Sequence, residues 1–284
     1  MKTNKDAGSA VRRWWEELRE KSYNATVVSR DELSANYAII RVVVDKAREV
    51  FSAGQYTTLG LYGFEFRVPY ALPDRKPALP DKLIQRAYSI ASASTDTREF
   101  EFFLSLYREG QLTPRLFALK PGDRLYVGTR IVGSFKIAQV PPEKQILMIG
   151  TGTGAAPFMS FLRSHVHQQT HPRIAFVQGA ASLNELAYYA ELRFMHRAFE
   201  HFRHLPTLTD PRPTWLGHRA WIEDMLKSGT VEREGEIAID PELTHVYLCG
   251  NPVMVENVMA WLIEERGYER HTGRQPGQLF IEEY

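Results

Sequence analysis

QILMIGTGTGAAPFMSFLRSHVHQ, residues 145–168, is the stretch on which the fold turns. After Gln145, residues 146–150 are a continuous apolar run, the pattern of a strand buried on both faces. GTGTGAAP, residues 150–157, follows the run and opens a helical segment. Glycine there lets backbone approach a ligand, and a helix N-terminus offers N–H groups to a phosphate. That is a nucleotide-diphosphate site in outline, although a tight turn with no ligand has the same sequence. The full dinucleotide fingerprint is absent, because no acidic residue stands clearly about 20 positions on at a strand end.

Downstream the texture repeats. RIAFVQGA reads as a strand and LNELAYYAELRFMHRAF as a helix. HLPTLT, the helix AWIEDMLKSG, the strand THVYLCG and the helix PVMVENVMAWLIEERG follow. Alternating strand and helix predict a parallel sheet wound with helices. In LCGNPVMVE, residues 248–256, a strand ends at Cys249, Gly250 makes the turn, and Asn251-Pro252 starts a helix. Cys249 then stands at the carboxyl end of a parallel strand, where open α/β sheets bind ligands. A lone cysteine is also a good small hydrophobe for a core.

Upstream the period changes. VPPEK, residues 140–144, is a junction, and residues 23–137 read as β-branched and aromatic strands separated by turns. They predict a small antiparallel barrel. The four prolines of residues 68–81 predict a long loop, and KPGD, residues 120–123, a turn. In RAYSIASAS, residues 86–94, period two places Arg86, Tyr88 and Ile90 on one face and Ala87 and Ser89 on the other. A cation, an aromatic plane and a hydroxyl can hold something anionic and flat, or they can be a solvated edge. In GQLTPRL, residues 110–116, Thr113 can cap a short helix whose N–H groups face outward. Residues 1–8 are polar and expected to be loose. Residues 9–21 predict a helix capped by Ser9, with Val11, Trp14, Trp15 and Leu18 clamping it to the body. A partner-binding helix is the other use of that stripe.

The composition narrows the classes. The chain has 284 residues, 44% hydrophobic, 24% charged and net charge +1. No global field argues for nucleic acid or a membrane surface. A single cysteine excludes a disulfide within the chain and a four-thiolate iron–sulfur cluster. No metal-ligating set is read. No apolar run approaches a membrane span, and the first residues lack a secretory core, so a cytoplasmic protein is expected.

Five motifs in order carry a resemblance: QYTTLG, RAYS, GQLTPRL, GTGTGAAP and LCGNPVMV. From about residue 23 onward the chain resembles the ferredoxin–NADP⁺ reductase family, in its compact bacterial ferredoxin/flavodoxin branch. The resemblance implies a Greek-key antiparallel β-barrel holding FAD over residues 23–140 and an NAD(P)-binding α/β parallel-sheet domain over residues 141–284. Residues 1–22 and the proline-rich loop look like additions. It implies that Arg86, Ala87, Tyr88 and Ser89 hold FAD. Arg86 would pair with the pyrophosphate, Tyr88 would stack on the flavin, and Ser89 would hydrogen-bond near its N5. Gly110, Leu112 and Thr113 would add to the pyrophosphate site, with Gly54, Gln55 and Tyr56 close by. Gly152, Thr153, Gly154, Arg219, Cys249 and Gly250 would bind NADP(H), with Cys249 near the nicotinamide. Tyr284 would cover the flavin as an aromatic lid that moves during turnover, with Glu282 near it. Ser89, Cys249, Glu282 and Tyr284 are the catalytic set this implies.

The chain departs from that pattern where the 2′-phosphate of NADP needs cations. Ala181 and Asp210 stand where bacterial relatives place arginines, whereas Arg219 matches, and Arg212 could substitute. NADPH is expected, with NADH open. The expected partner is a separate ferredoxin or flavodoxin docking on a basic rim, for which Arg67, Arg75, Lys76 and Lys82 are available, and a monomer is expected. The alternatives are an NADH-dependent reductase component of an oxygenase and a flavin-binding relay subunit of a larger complex.

Overall fold

A computed structural model describes residues 4–282. Two compact units emerge. The first holds residues up to 50, 56–90 and 96–132, and the second holds 51–55, 91–95 and the residues from 133 on.

The first unit contains β1 (Ala25–Ser34), β2 (Tyr37–Val44), β3 (Tyr56–Tyr62), β4 (Leu83–Ser89), β5 (Glu99–Ser105) and β6 (Arg124–Val127). All pairings are antiparallel, in the order β4-β3-β6-β1-β2-β5. The end strands β4 and β5 approach one another, so the sheet curls into the expected barrel. The alternation has its usual cause. In β2 the side chains of Ala38, Ile40, Val42 and Val44 are buried, while Tyr37, Arg41 and Val43 on the other face are half-buried. Each buried Val or Ile contributes about 1.5–3 kcal/mol of transfer free energy. Arg41 and the buried Glu101 face each other across β2 and β5, and their side chains pair at 2.6 Å.

The N-terminal helix differs from expectation. α1 spans Asn4–Ser22, so Ser9 lies inside the helix and does not cap it. The apolar stripe is also narrower than predicted. Val11 and Trp14 are exposed, whereas Trp15 stacks on Phe64 with centroids 4.8 Å apart. Phe64 is stacked in turn on Tyr62 at 5.2 Å. Arg19 lies over Phe64 and donates twice to Glu65 at 2.8 Å, and the Tyr23 hydroxyl donates to the same carboxylate. The clamp exists, but one tryptophan makes it. Trp15→Ala is expected to lower unfolding stability by about 1–2 kcal/mol, less than a fully buried tryptophan would cost. Trp14→Ala should be close to neutral. Denaturant melts of both variants check this, and equal losses would contradict the stacking account.

The second unit contains β7 (Gln145–Thr151), α3 (Ala155–His165), β8 (Ile174–Ala180), α4 (Tyr189–Ala198), β9 (Phe202–Leu208), α5 (Ile222–Lys227), α6 (Thr230–Gly235), β10 (Thr244–Cys249), α7 (Pro252–Arg266) and β11 (Leu279–Glu282). Its five strands are all parallel, in the order β11-β10-β7-β8-β9. Leu147, Ile149, Val177, Val246 and Leu248 pack on one face against apolar residues of α5, α6 and α7. Elsewhere in the unit Phe135, Phe158, Phe161 and Tyr247 pack ring against ring.

Two elements here correct the sequence reading. The single helix expected from Leu183 to Phe199 is broken: Leu183–Glu185 is one 3₁₀ turn, Tyr188 has φ 64°, and α4 starts only at Tyr189. The Gln178 side chain holds the break by donating to the Ala187 carbonyl at 2.9 Å. Gln178 is itself fixed by His204 Nε2 at 3.0 Å, a ring whose pKa burial pushes down to about 3, so that it is neutral. The second correction is a strand that was not expected near the C-terminus, in FIEEY, residues 280–284. Its Phe280, Ile281 and Glu282 belong to β11, hydrogen-bonded alongside β10.

Candidate functional site

In the first unit, β4 is an end strand paired only with β3 along its length, so one side of its backbone has no ladder partner. Gln85, Arg86 and Ala87 are exposed on it, Tyr88 is half-buried, and Ser89 is buried. The Arg86 guanidinium donates to the Gln85 carbonyl at 2.7 Å and meets no carboxylate among the described residues. Burial holds the pKa of the Tyr88 hydroxyl above its usual value, and the Arg86 charge pulls it part of the way back. The phenol therefore stays neutral and acts as a flat ring. An available guanidinium, a neutral aromatic plane and open backbone groups on one strand fit a flavin nucleotide, whose phosphates are anionic and whose ring is planar.

Gly110, Leu112 and Thr113 lie in the same unit, at the turn before α2 (Thr113–Leu116). Thr113 does not cap α2. The cap position is Leu112, with helical dihedrals, and the Thr113 hydroxyl is turned back on Tyr107. It donates to the Tyr107 carbonyl at 3.1 Å and accepts from the Tyr107 amide at 3.0 Å. A cap residue needs extended dihedrals to aim its oxygen at the following N–H groups. Here the hydroxyl closes the turn over Gly110 instead. Leu112 is buried, and a Cβ on Gly110 would stand 2.9 Å from the Tyr107 ring.

In the second unit two glycine turns interlock. The Asn251 amide donates to Thr151 Oγ1 at 2.8 Å, joining the turn after β10 to the turn after β7. Gly250 has φ 140°, and a Cβ there would meet Thr151 Oγ1 at 2.4 Å. A Cβ on Gly154 would fall 2.1 Å from the Cys249 carbonyl oxygen. The first turns of α3 and α7 thus start side by side, with Gly152 and Thr153 between β7 and α3. They are not equivalent. Asn251 Oδ1 accepts from the Val253 and Met254 amides at 2.9 and 3.4 Å, so α7 is capped by its own chain. α3 has no side-chain cap among the described residues. Its N-terminus is the one available to an anion, which fits a dinucleotide pyrophosphate.

Gly154→Ala is expected to displace the Cys249–Gly250 turn and to weaken dinucleotide binding at α3 at least tenfold. Unchanged binding would mean that the turns do not touch as described.

Cys249 is fully buried, and its register partners are Gly150 on β7 and Glu282 on β11. The missed strand therefore brings together Cys249 and Glu282, two residues the sequence could only name separately. Tyr284 lies outside the described residues. Ala181 and Asp210 are also brought together, because the Asp210 amide donates to the Ala181 carbonyl at 2.8 Å beyond the ends of β8 and β9. Both are exposed, and the Asp210 carboxylate has no cation partner among the described residues. Arg219 is exposed on the loop that follows β9. Its Nη2 donates to the Pro213 and Trp215 carbonyls at 3.1 and 2.7 Å. Arg212 is exposed on the same loop, and its carbonyl accepts from the Trp215 amide. Gly54 and Gln55 lie in the second unit, where Gln55 Nε2 donates to the Gly133 carbonyl at 3.3 Å, while Tyr56 opens β3 opposite Ser89.

Comparison with known proteins agrees with this layout. Residues 148–260 match the family described as Oxidoreductase NAD-binding domain. A flavodoxin/ferredoxin–NADP reductase of Escherichia coli (strain K12) is 30% identical over 234 residues, covering 82% of this chain and 88% of the relative. One from Buchnera aphidicola subsp. Baizongia pistaciae is 28% identical over 246 residues, covering 87% and 92%. The fold is shared with a ferredoxin NADP⁺ reductase from Neisseria gonorrhoeae solved with bound FAD and NADP. It has a TM-score of 0.78 at 23% identity and covers 92% of this chain and 98% of that one.

Proposed function

The chain belongs to the flavodoxin/ferredoxin–NADP reductase family, and we infer that it is an FAD-dependent oxidoreductase exchanging electrons between NADP(H) and ferredoxin or flavodoxin. The observation that carries this reading is the presence of two complementary anion sites on one chain: the available Arg86 beside Tyr88 on an edge strand, and the uncapped α3 behind interlocked glycine turns. When bound, FAD supplies the exchange of a two-electron donor for single electrons.

The chain's own groups bind and orient. Arg86 holds the flavin pyrophosphate together with the Gly110–Thr113 turn, and Tyr88 and Ser89 position the ring. Gly152, Thr153 and Gly154 hold the pyrophosphate of the nicotinamide cofactor. Cys249, Gly250 and Glu282 shape the end of the sheet where its nicotinamide is received, and Tyr284 serves as an aromatic lid. Flavin is assigned to the first unit and the nicotinamide cofactor to the second, whose main body begins at residue 133, a few residues before the expected boundary at 140 and 141. Among the described residues no helix is long and apolar enough to cross a membrane. A cytoplasmic monomer is the working assignment.

The test is anaerobic. Purified chain should be yellow, NADPH should bleach it, and added flavodoxin or ferredoxin should be reduced at catalytic protein concentration. A colourless chain that takes up no FAD would refute the reading. A chain that oxidises NADPH only with ferricyanide and never with a carrier would point to the relay-subunit alternative.

A second reading, NADH-dependent supply of an oxygenase or similar chain, is favoured by one observation. Asp210, whose carboxylate has no cation partner among the described residues, is hydrogen-bonded through its amide to the Ala181 carbonyl beyond the strand next to the glycine turn, where the 2′ position of the adenosine ribose is received in such sheets.

A further inference from the structure

The proline-rich loop and the N-terminal helix, which the resemblance leaves as additions, are one packed assembly in the first unit. Residues 64–82 leave and rejoin the barrel at a single point. Tyr62 pairs with Leu83 in the β3–β4 ladder, and the Gly63 amide donates to the Lys82 carbonyl at 3.0 Å. From there the loop runs along residues 108–114. The Val68 amide donates to the Pro114 carbonyl at 3.0 Å, and the Leu72 amide to the Arg108 carbonyl at 3.0 Å. Arg75 donates through its amide to the Glu109 carbonyl and pairs with the Glu109 carboxylate at 2.7 Å. Gln111 Nε2 donates to the Lys76 carbonyl at 2.7 Å. These contacts bracket Gly110 on both sides.

A buried charge cluster holds the loop from beneath. Asp74 pairs with Arg67 and lies 3.7 Å from Arg115, which is 5% exposed. Arg115 also donates to the Gln111 carbonyl at 2.5 Å and to the Gly63 carbonyl at 2.7 Å. One guanidinium thus ties the loop, its root and the turn together. Splitting such a buried set is costly, so the arrangement is rigid. The root is stapled from outside by α1, through Trp15 on Phe64 and Arg19 on Glu65.

We propose that residues 64–82 form a strap that holds the Gly110–Thr113 turn in the shape receiving the diphosphate and AMP half of FAD, and so set this protein's preference for FAD over FMN. The proposal rests on the assignment of this unit to flavin. It follows from preorganisation: a turn fixed before binding loses less entropy when it closes on the ligand. FMN ends at its single phosphate and has no second phosphate or AMP half for the turn to hold. A fixed turn therefore raises affinity for FAD far more than for FMN.

The experiment uses the full chain stripped of flavin and titrated with FAD and with FMN, following flavin fluorescence. In the main variant residues 64–81 are replaced by Asn-Gly, a two-residue connection suited to an antiparallel hairpin. The FAD Kd is expected to rise at least tenfold while the FMN Kd changes less than twofold. Trp15→Ala, which alters neither strap nor turn, is expected to raise the FAD Kd about threefold with FMN unchanged. An unchanged FAD Kd in the folded deletion variant overturns the proposal, as does equal weakening of both flavins. If the deletion variant does not fold, Trp15→Ala decides in the same way. A wild-type chain that binds both flavins equally overturns the strap alone. A wild-type chain that binds neither overturns the flavin assignment, and the strap with it.

Discussion

Arg86→Ala is expected to purify colourless. The guanidinium fork is preorganised for an anion and, among the described residues, meets no carboxylate that would compete. Removing two charge-assisted hydrogen bonds, at about 1.5–3 kcal/mol each, costs at least about 3 kcal/mol, or more than a hundredfold in FAD affinity. The fold should survive, because Arg86 is exposed and, among the described residues, its side chain hydrogen-bonds only to the neighbouring Gln85 carbonyl. Flavin content per chain after gel filtration and the melting temperature of the flavin-free protein separate the two effects. Full flavin occupancy in the variant would remove Arg86 from the pyrophosphate site. Arg86→Lys should be intermediate, since an ammonium supplies charge without the fork.

The second large effect concerns cofactor choice. The double variant Ala181→Arg, Asp210→Arg is expected to raise the ratio of kcat/KM for NADPH to that for NADH at least a hundredfold. The two positions are hydrogen-bonded neighbours beyond β8 and β9, so both new cations would face the same region. Two added charge-assisted contacts are worth about 3–6 kcal/mol, and the change also removes one like charge. Steady-state rates with ferricyanide as acceptor give both constants. A ratio unmoved by the double variant would place the 2′-phosphate elsewhere, and Arg212 and Arg219 would then be the residues to replace. The wild-type ratio is informative in itself. A hundredfold NADPH preference, about 2.7 kcal/mol, would mean that Arg212 and Arg219 already compensate for the absent cations.

Much of the architecture was legible because the two halves obey different periods. The β-branched and aromatic content of YAIIRVVV and the apolar run of residues 146–150 mark strands that local sequence reports directly. Two of the failures were decided by side-chain contacts from outside the helix in question, and two by elements too short to show a period. Tyr188 leaves the helix because Gln178, held by His204, takes the Ala187 carbonyl. Thr113 does not cap because Tyr107 takes its hydroxyl. Four residues of β11 are too few for periodicity to register, and α6 is a six-residue helix at whose surface charged residues outnumber apolar ones.

The site residues divide in the same way. Glycine turns after strands are visible in sequence, because chain geometry demands them. The adjacency of Cys249 and Glu282 is not, because it depends on a parallel pairing across the chain's last segment. Nor is the strap, whose prolines announce a loop but not what it lies against.

The interlocked turns of the second unit have a kinetic consequence. Thr151 and Asn251 are 100 residues apart in sequence, yet their hydrogen bond joins the two glycine turns. β7 and β8 are joined by one short crossover, whereas β8, β9 and the four helices α3 to α6 lie between β7 and β10 in the chain. Contacts of such long sequence separation are slow to form. The anion site at α3 is therefore completed among the last steps of folding, and a nicotinamide cofactor would recognise only the finished domain. By mass action it should slow unfolding without speeding refolding.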